Sequence, residues 1–435
     1  MQFEAAPTSA TATTRPTPPV VAGAGSRLDT IVVGGGIIGL ATAWRLGRRG
    51  QRVMVVDSAH PHAASQVAAG MLTPATEASF GEEPLMRLAM ASRDLYPSFV
   101  AEVDADRGHS PPASGSGYHR TGTLQVAFDQ DDLARLDELR LLQDRIGVRT
   151  ERLTSRACRR LEPGLAPGVR GGILAPDDHS VDPRALTTAL YSAATRRGVQ
   201  LHTGRVRELC VRRTEESTAS AAPEPDAAVS GIRLDTGETV EASTVVLATG
   251  AWASELLPRD LAQHLCVDIR PVKGEVLRLR PAAGARRGSG ALVSRTVRGL
   301  VRGSPVYLVP RDTGEIVLGA TQEELGFDAS LTAEGVWRLL RDAHELVPGV
   351  GELEITETSV GFRPGSPDNG PLLGPTGVPG LQLAAGHSRH GVLLAPITAE
   401  ALAQSVTTGT LPAAAADFAA TRFTDRTFTA QEVQA

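Results

Sequence analysis

The stretch Thr30–Asp57, TIVVGGGIIGLATAWRLGRRGQRVMVVD, decides the fold of the chain. It begins with Thr30–Val33, a β-branched run of the kind that a strand buried on both faces requires. Gly34, Gly36 and Gly39 then form the pattern G-x-G-x-x-G. In this pattern the first glycine permits a tight turn, the second lets backbone approach a pyrophosphate, and the third lets a helix pack closely on the strand. We therefore predict a strand, a glycine turn and a phosphate-binding helix.

That helix is predicted to start near Ile37 and to end at Arg49, with Gly50 as its C-terminal cap. Its N-terminus would present N–H groups and the positive end of the helix dipole to phosphate oxygens. The next strand, Arg52–Val56, ends in Asp57, whose carboxylate is placed to accept hydrogen bonds from ribose hydroxyls. Three glycines alone can coincide in a chain that has 45 of them. The complete order of strand, turn, helix, strand and acid nevertheless predicts a dinucleotide site.

Composition limits the classes of protein to which the chain can belong. With 435 residues, 41% of them hydrophobic, it can bury a large core and is long enough for two domains. A net charge of −5 offers no basic surface for nucleic acid. No apolar run approaches the roughly 20 residues that span a bilayer, so no membrane partner is expected. Cys158, Cys210 and Cys266 lack metal-ligand spacing, which favours free thiols in a reducing, cytoplasmic setting and no metal site.

The alternation of strand and helix recurs in the second half of the chain and encloses a different unit. Val245–Ala248 is predicted to be a buried strand before a glycine turn, and Leu381–Ala385 a strand followed by a helix from Val392. Between them, strands of a less parallel unit are predicted at Lys273–Leu279, Tyr307–Pro310 and Ile316–Gly319. The segment Pro281–Ser304, rich in Gly and Arg, is either a mobile lid or a loose surface loop.

Six motifs follow one another along the chain: GGGIIG at 34–39, AAGML at 68–72, PVKGE at 271–275, YLVPR at 307–311, GFRP at 361–364 and GHSRHG at 386–391. Together they resemble the motifs of the D-amino-acid oxidase family of flavoproteins, and within it those of the glycine oxidases associated with making the thiazole of thiamine. The likeness covers about Leu28 to Arg422. Each motif alone is a weak signal, whereas the ordered set is specific.

The resemblance implies an α/β fold in which a Rossmann-like FAD-binding domain of the glutathione-reductase type is interleaved with an antiparallel-sheet α+β substrate domain. We expect the FAD-binding domain to comprise residues 28–107, 172–262 and 361–425, and the substrate domain to comprise residues 108–171 and 263–360. Residues 1–27 and 426–435 are expected to be tails. The first tail is expected to be disordered because an Ala/Thr/Pro-rich segment has little apolar surface to bury.

FAD is the cofactor that the resemblance implies. It places the pyrophosphate at Gly34–Gly39, a ribose on Asp57, the adenine near Val206, and the isoalloxazine beside Ala69, Gly70 and Met71. The flavin N1–C2 edge would meet backbone at a helix N-terminus, which stabilises the charge gained on reduction. The expected FAD-binding residues are Gly34, Gly36, Ile37, Ile38, Gly39, Asp57, Ser65, Ala69, Gly70, Met71, Val206, Thr249, Gly250, Trp252, Gly391, Val392 and Leu393.

Three residues are expected to bind or orient the substrate. Arg363, between Phe362 and Pro364, would offer a bidentate fork to an α-carboxylate; taken alone, such an arginine is more often a surface or ion-pair residue. Tyr307 would donate its hydroxyl to the same carboxylate, against the alternative of a half-buried strand aromatic. Arg389 would make a second polar contact near the substrate, against the alternative of a loop charge.

The implied activity is oxidative deamination of glycine or another small amino acid, with hydride transfer to flavin N5, hydrolysis of the imine product, and oxygen as the acceptor. A D-amino-acid dehydrogenase with another acceptor and a non-catalytic flavin-binding assembly protein are the alternatives. The resemblance leaves open whether the chain forms a homo-oligomer.

Several positions depart from the family. Relatives commonly carry an aromatic residue, an Asn, a His and a Met at the places of Ser388, His390, Pro305 and Gln322, so the width and polarity of the pocket are open. A non-covalent flavin is expected because neither family attachment residue is present. Val67 stands where a His would attach the flavin, and no Cys follows Cys266.

Overall fold

The computed structural model describes residues 27–109, 115–212, 228–257, 259–265, 268–282 and 291–424. Cys266, the expected tail 426–435 and all of the expected N-terminal tail except residue 27 lie outside these ranges. The strands of the described residues are β1 (Leu28–Val33), β2 (Val53–Asp57), β3 (Met71–Leu72), β4 (Thr123–Ala127), β5 (Glu151–Thr154), β6 (Gly171–Ala175), β7 (His179–Ser180), β8 (Gln200–Thr203), β9 (Val206–Arg212), β10 (Ala228–Leu234), β11 (Thr239–Leu247), β12 (Arg270–Pro281), β13 (Thr296–Val301), β14 (Ser304–Pro310), β15 (Ile316–Gly319), β16 (Leu353–Gly365), β17 (Leu372–Pro375) and β18 (Leu381–Ala385).

The α-helices of the same residues alternate with these strands mainly in the two ends of the chain. They are α1 (Ile37–Arg48), α2 (Ala64–Val67), α3 (Glu83–Arg107), α4 (Gln130–Arg145), α5 (Ser155–Leu161), α6 (Pro183–Arg196), α7 (Ala253–Leu256), α8 (Arg259–His264), α9 (Ala333–Leu346) and α10 (Gly391–Thr408). Gly250–Trp252 and Ser388–His390 are short 3₁₀ turns. Among the described residues, none of the helices is both long and apolar enough to cross a membrane.

The first sheet has the strand order β17-β18-β11-β1-β2-β8, and β9 and β10 extend it beside β11. Its central strands are parallel: β1 pairs with β2 and β11, and β11 pairs with β18. Helices α1, α3, α6 and α10 pack on one another and cover one face. Burial on both faces explains the apolar runs Ile31–Val33 of β1, Val53–Val56 of β2 and Val245–Leu247 of β11.

The second sheet has the order β16-β12-β15-β14-β13-β4-β6-β5. Its neighbours are antiparallel except for β13 and β4, which are parallel. Helix α9 packs against its middle strands, and the core beneath is built from Val, Leu and Ile side chains. The expected antiparallel sheet is thus present with one parallel pair. This pair joins β4 and β13, two strands from distant parts of the chain, in the middle of the sheet.

Three sequence expectations about segments need correction. The boundary expected between residues 171 and 172 cuts β6, which is bonded to β4 and β5 of the second sheet. The boundary expected at residue 361 cuts β16, which stays paired with β12 as far as Gly365. The segment Pro281–Ser304 is not a lid or loop throughout, because its residues Thr296–Val301 form β13 in the middle of the sheet. Residues 283–290 of that segment lie outside the described ranges.

Local signals were sufficient for several elements. Helix α6 starts where Asp182 and Pro183 predict it, and the Asp182 carboxylate accepts hydrogen bonds from the N–H groups of Arg184 and Ala185. Gly50 follows α1 with φ of +81°, as expected for a residue that ends a helix. Cys158 and Cys210 are free cysteines, and burial raises the pKa of the Cys158 thiol to about 11, so this thiol is unreactive at neutral pH.

Candidate active site

A continuous cavity of about 2470 Å³ lies between the carboxyl ends of the first sheet and one face of the second. Pockets for single drug-sized ligands are about 300–1,000 Å³, so this one has room for a dinucleotide together with a small substrate. The expected site residues that line it are Gly34, Gly36, Ile37, Ile38, Asp57, Ser65, Ala69, Gly70, Met71, Val206, Thr249, Gly250, Trp252, Tyr307, Arg363, Arg389, Gly391 and Val392. Gly39 and Leu393 are expected residues that do not line it.

The glycine turn after β1 is shaped by close backbone approaches. Gly34 has φ of +108°, and a Cβ on it would lie 2.3 Å from the carbonyl oxygen of Ala248. A Cβ on Gly39 would lie 1.9 Å from the carbonyl oxygen of Gly34, so this glycine serves the packing of α1 on the strand. The N–H of Ile37, at the start of α1, donates to the Ser65 hydroxyl at 3.0 Å. Helix α1 therefore begins at the cavity, in the place that a pyrophosphate requires.

Asp57 ends β2 at the same edge of the sheet. Gly35, which sequence reasoning did not single out, is its neighbour: a Cβ at this position would lie 2.8 Å from the carboxylate carbon and one carboxylate oxygen of Asp57. The run Gly34 to Gly36 therefore consists of glycines at positions where a side chain would meet neighbouring atoms. The carboxylate remains open to the cavity, where it can accept hydrogen bonds from ribose hydroxyls.

The turn Ala69–Met71 forms another wall of the cavity. Gly70 has φ of +76°, and a Cβ on it would lie 2.0 Å from the carbonyl oxygen of Val181. The carbonyl of Ala69 accepts a hydrogen bond of 2.6 Å from Arg311, a buried side chain at the end of β14. The backbone of this turn, which Arg311 holds in place, offers a surface for an extended aromatic ring system. These residues therefore fit the expected flavin.

The start of α10 completes the cofactor part of the cavity. Gly391 and Val392 line it, and the helix dipole places partial positive charge there. Leu393 is buried among the helices, and its carbonyl accepts a hydrogen bond of 2.7 Å from Ser92. Leu393 therefore does not line the cavity, and the expected contact of its backbone with the flavin stays a prediction.

Arg363 and Tyr307 project from the second sheet into the cavity. Glycines on the neighbouring strands make room for both side chains: a Cβ on Gly274 would lie 2.7 Å from Nη1 of Arg363, and one on Gly319 would lie 2.4 Å from the hydroxyl of Tyr307. Burial raises the pKa of Tyr307, and the nearby Arg363 guanidinium opposes the rise. Tyr307 therefore stays a neutral hydroxyl that can donate a hydrogen bond.

The polar neighbours of Arg363 are uncharged oxygens, one of which is the Tyr307 hydroxyl. In the part of the chain that the structure describes, its guanidinium contacts the carbonyls of Thr321 at 3.2 Å and Lys273 at 3.4 Å and forms no ion pair. Arg389 differs, since its guanidinium is hydrogen-bonded to the carboxylate of Glu82. The expected polar contact of Arg389 with a substrate would have to compete with this ion pair.

Sequence reasoning missed an ion pair that also lines the cavity. Nη1 of Arg298 donates to Oε1 of Glu77 at 2.8 Å and lies 3.7 Å from the sulfur of Met71. Arg298 is in β13, within the segment expected to be a lid or loop. The pattern T-V-R-G-L-V at 296–301 does alternate in polarity as a half-buried strand does, which is the signal that could have found it.

Three of the four positions that depart from the family, Pro305, Gln322 and Ser388, line the cavity. His390 lies behind it, with Nδ1 3.5 Å from Oε2 of Glu77. Burial lowers the pKa of His390 to about 4, so the imidazole is neutral at physiological pH. The described residues contain no group of three or more His, Cys, Asp and Glu side chains placed to hold a metal ion.

Comparison with known proteins places this arrangement among flavoenzymes. The sequence pattern of the family described as "DAO: FAD dependent oxidoreductase" matches residues 29–405. The bifunctional protein ThiO/ThiG of Trichormus variabilis is 33% identical over 378 residues; the match covers 87% of this chain and 52% of that protein, so the chain spans about half of its length. The hydrogen cyanide synthase subunit HcnC of Pseudomonas aeruginosa is 30% identical over 425 residues, covering 91% of this chain and 96% of that protein.

Among solved structures, the chain resembles the crystal structure of glycine oxidase from Geobacillus kaustophilus. The TM-score is 0.76 at 31% sequence identity, and the match covers 92% of this chain and 99% of that one. The two chains thus share the same mixed α/β fold.

Proposed function

Because the chain belongs to the DAO family of FAD-dependent oxidoreductases, we propose that it catalyses the oxidative deamination of glycine or another small primary or secondary amino acid. With glycine, the substrate, oxygen and water give glyoxylate, ammonia and hydrogen peroxide. FAD, when bound, supplies the acceptor for the two electrons of the Cα–H bond, which leave as a hydride when the amine becomes an imine. A place in thiazole formation for thiamine is part of this proposal and rests on the resemblance of the six motifs to those of the glycine oxidases associated with that pathway.

The observation that carries the proposal is the state of Arg363. It is an arginine that lines the cavity, and within the described residues its guanidinium meets the carbonyls of Lys273 and Thr321 and the hydroxyl of Tyr307 but no carboxylate. A guanidinium without a carboxylate in a partly desolvated site favours an anionic ligand, and its planar fork matches a carboxylate. An α-amino acid supplies that group beside the carbon that is oxidised.

Tyr307 supports the same placement of the substrate. Its neutral hydroxyl lies close enough to Arg363 for the two to share a carboxylate, and its partly buried ring packs against the small apolar cluster that contains Ala69. Two groups that grip one carboxylate restrict the orientation of the Cα–H bond, and such restriction is the main contribution a protein makes to a reaction whose electrons go to a cofactor.

A second candidate differs in the electron acceptor. The likeness to HcnC, a subunit of a synthase, extends over almost the whole of that protein. It supports the same oxidation by a chain that works with partner subunits, and a dehydrogenase that uses an acceptor other than oxygen is the alternative. A non-catalytic flavin-binding assembly protein is less compatible with a carboxylate-free arginine in the cavity.

Anaerobic mixing of the flavin-loaded protein with a panel of small amino acids tests the proposal. Bleaching of the flavin absorbance by glycine, sarcosine or D-alanine is the expected result, and no bleaching by any of them would contradict it. Admitting air then separates the two candidates. Rapid return of the yellow colour with one peroxide formed per substrate supports the oxidase, whereas slow return supports another acceptor.

A further inference from the structure

A second charged cluster lines the cavity next to Tyr307. In the register of the second sheet, Arg298 of β13 lies directly opposite Tyr307 of β14, so both side chains are on the same face. The carboxylate of Glu77, which belongs to the segment between β3 and α3, meets Arg298 on that face at 2.8 Å. Both Arg298 and Glu77 line the cavity. The proposed reaction uses neither of them.

The arginines near Tyr307 can be compared by asking which of them is paired with a carboxylate. Three arginines line this end of the cavity, Arg298, Arg363 and Arg389. Arg298 is paired with Glu77, and Arg389 with Glu82. His390, which adjoins Glu77, is neutral because burial lowers its pKa to about 4. Of these three arginines, Arg363 is the one that forms no ion pair with a carboxylate of the described residues, and its single positive charge can therefore be balanced by one substrate carboxylate.

Glu77 is held in its ionised form. Burial by itself raises the pKa of a carboxyl, but the charged guanidinium groups of Arg298 and Arg389 act in the opposite direction and help to leave the pKa of Glu77 lowered. Its side chain is only 10% exposed, so water does little to screen it. A second carboxylate brought beside Glu77 would meet a fixed negative charge and an arginine that is already occupied.

We propose that Glu77 determines substrate specificity: by occupying Arg298, it restricts the pocket to amino acids with a single carboxylate and rejects dicarboxylic ones such as iminodiacetate or aspartate. This inference rests on the proposed function, because it takes the carboxylate of the substrate to bind Arg363. Without Glu77, Arg298 becomes a second free guanidinium beside Tyr307, which is what a dicarboxylic amino acid requires.

Two non-reacting anions test this without turnover. Methoxyacetate has the shape of an N-methyl amino acid with one carboxylate, and oxydiacetate adds a second carboxylate to the same skeleton. Each is titrated into the flavin-loaded protein while the visible absorbance of the flavin reports binding. The parent protein should bind methoxyacetate more tightly than oxydiacetate. In Glu77→Gln the dissociation constant of oxydiacetate, divided by that of methoxyacetate, should fall at least about tenfold.

Two further variants separate charge from shape. Arg298→Gln leaves Glu77 without its counterion, so methoxyacetate should bind about tenfold more weakly than to the parent. The double variant Glu77→Gln/Arg298→Gln should lose the gain for oxydiacetate, since no second guanidinium remains. Glu102→Gln is the control: Glu102 is likewise paired with arginine, here Arg45 and Arg48, but does not line the cavity, and the ratio should not change.

The outcomes distinguish the two proposals. If the parent binds neither anion, the proposed function fails and this inference fails with it. If the parent binds methoxyacetate but Glu77→Gln gains nothing for oxydiacetate, the inference alone is overturned. Should Glu77→Gln lose its flavin, Arg298→Gln decides the matter, because unchanged methoxyacetate binding there would show that the charge count is irrelevant.

Discussion

Arg311 donates a hydrogen bond of 2.6 Å to the backbone carbonyl of Ala69, and so joins the end of β14 to the turn that forms a wall of the cavity. A second contact, at 3.5 Å, reaches the carbonyl of Val181 on the other side of Gly70. Burial lowers the pKa of Arg311 to about 10, so the side chain is still charged at neutral pH. The guanidinium of Arg311 thus connects this turn to the second sheet.

Replacing Arg311 with Met should loosen this turn. The carbonyl of Ala69 loses a charge-assisted donor, which corresponds to about 1–3 kcal/mol if no other donor takes its place. We expect weaker FAD binding and a changed visible circular dichroism spectrum of the flavin. Arg311→Lys should restore part of both, because an ammonium can still donate to one carbonyl. An unchanged flavin spectrum in Arg311→Met would contradict the role.

Replacing Arg363 with Leu should abolish most activity and leave the flavin bound. The substrate carboxylate would lose its partner in a partly desolvated site, a loss of roughly 3–5 kcal/mol, so kcat/KM should fall on the order of 10²–10³-fold or more. Arg363→Lys should recover only part, because a point charge cannot replace the planar fork.

Ethylamine, which has no carboxylate, is the control for this variant. It should be a poor substrate of the parent and should lose little further in Arg363→Leu. Equal losses for glycine and ethylamine, or loss of FAD, would show that Arg363 does not bind the carboxylate.

Gly319 should not tolerate a side chain. A Cβ at this position would lie 2.4 Å from the hydroxyl of Tyr307, so Gly319→Ala should push the ring out of place and lower kcat/KM about tenfold or more. Gly168→Ala is the matched control, because its Cβ would be in ordinary contact, 3.7 Å from the Phe128 ring. Steady-state rates and melting temperatures of both variants, measured side by side, check this prediction.

We predict that FAD is not covalently attached. Val67 occupies the place of a possible attachment residue and packs near Gly361, where a Cβ would lie 2.9 Å from its side chain. Acid precipitation followed by centrifugation should leave the yellow colour in the supernatant. Colour that stays with the pellet would show a covalent bond.

Acid should destabilise the protein through its buried histidines. Burial lowers the pKa of His387 to about 3 and that of His390 to about 4, below the ordinary value of 6.5, so the unfolded chain binds more protons than the folded one. Above pH 6.5 both histidines are neutral in the folded and unfolded chains and do not reduce the free energy of unfolding. This free energy decreases as the pH falls from 6.5 toward 4, by up to about 1.4 kcal/mol per pH unit for each histidine.

Asp178 acts in the opposite direction. Burial raises its pKa to about 6, so between 3.8 and 6 its protonation favours the folded state and offsets one of the two histidines. The net expectation is a falling thermal midpoint between pH 6.5 and 4. His390→Asn should flatten this dependence, and an equally steep curve in the variant would contradict the assignment.

How much of the structure can be predicted from the sequence depends on how far apart in the chain the interacting residues lie. The pattern of β1, α1 and β2, the Asp182 cap of α6 and the cavity-lining motifs can be recognised from neighbouring residues, because turns, caps and periodicity are local. The ends of β6 and β16 could not, because a strand continues for as long as its partner strand does, and the partners lie elsewhere in the chain.

The sequence by itself determined the dinucleotide-binding end of the molecule and the presence of Arg363 and Tyr307 in recognisable motifs. Only the tertiary structure decided the charge of the site. Arg298 meets Glu77 across 221 positions and Arg389 meets Glu82 across 307, whereas Arg363 meets carbonyl oxygens. Nothing in the sequence distinguishes the three arginines. They differ in their partners, which depend on how the second sheet lies against the segment after β3. The partners matter because the energy of a charge depends on the groups within a few ångströms of it.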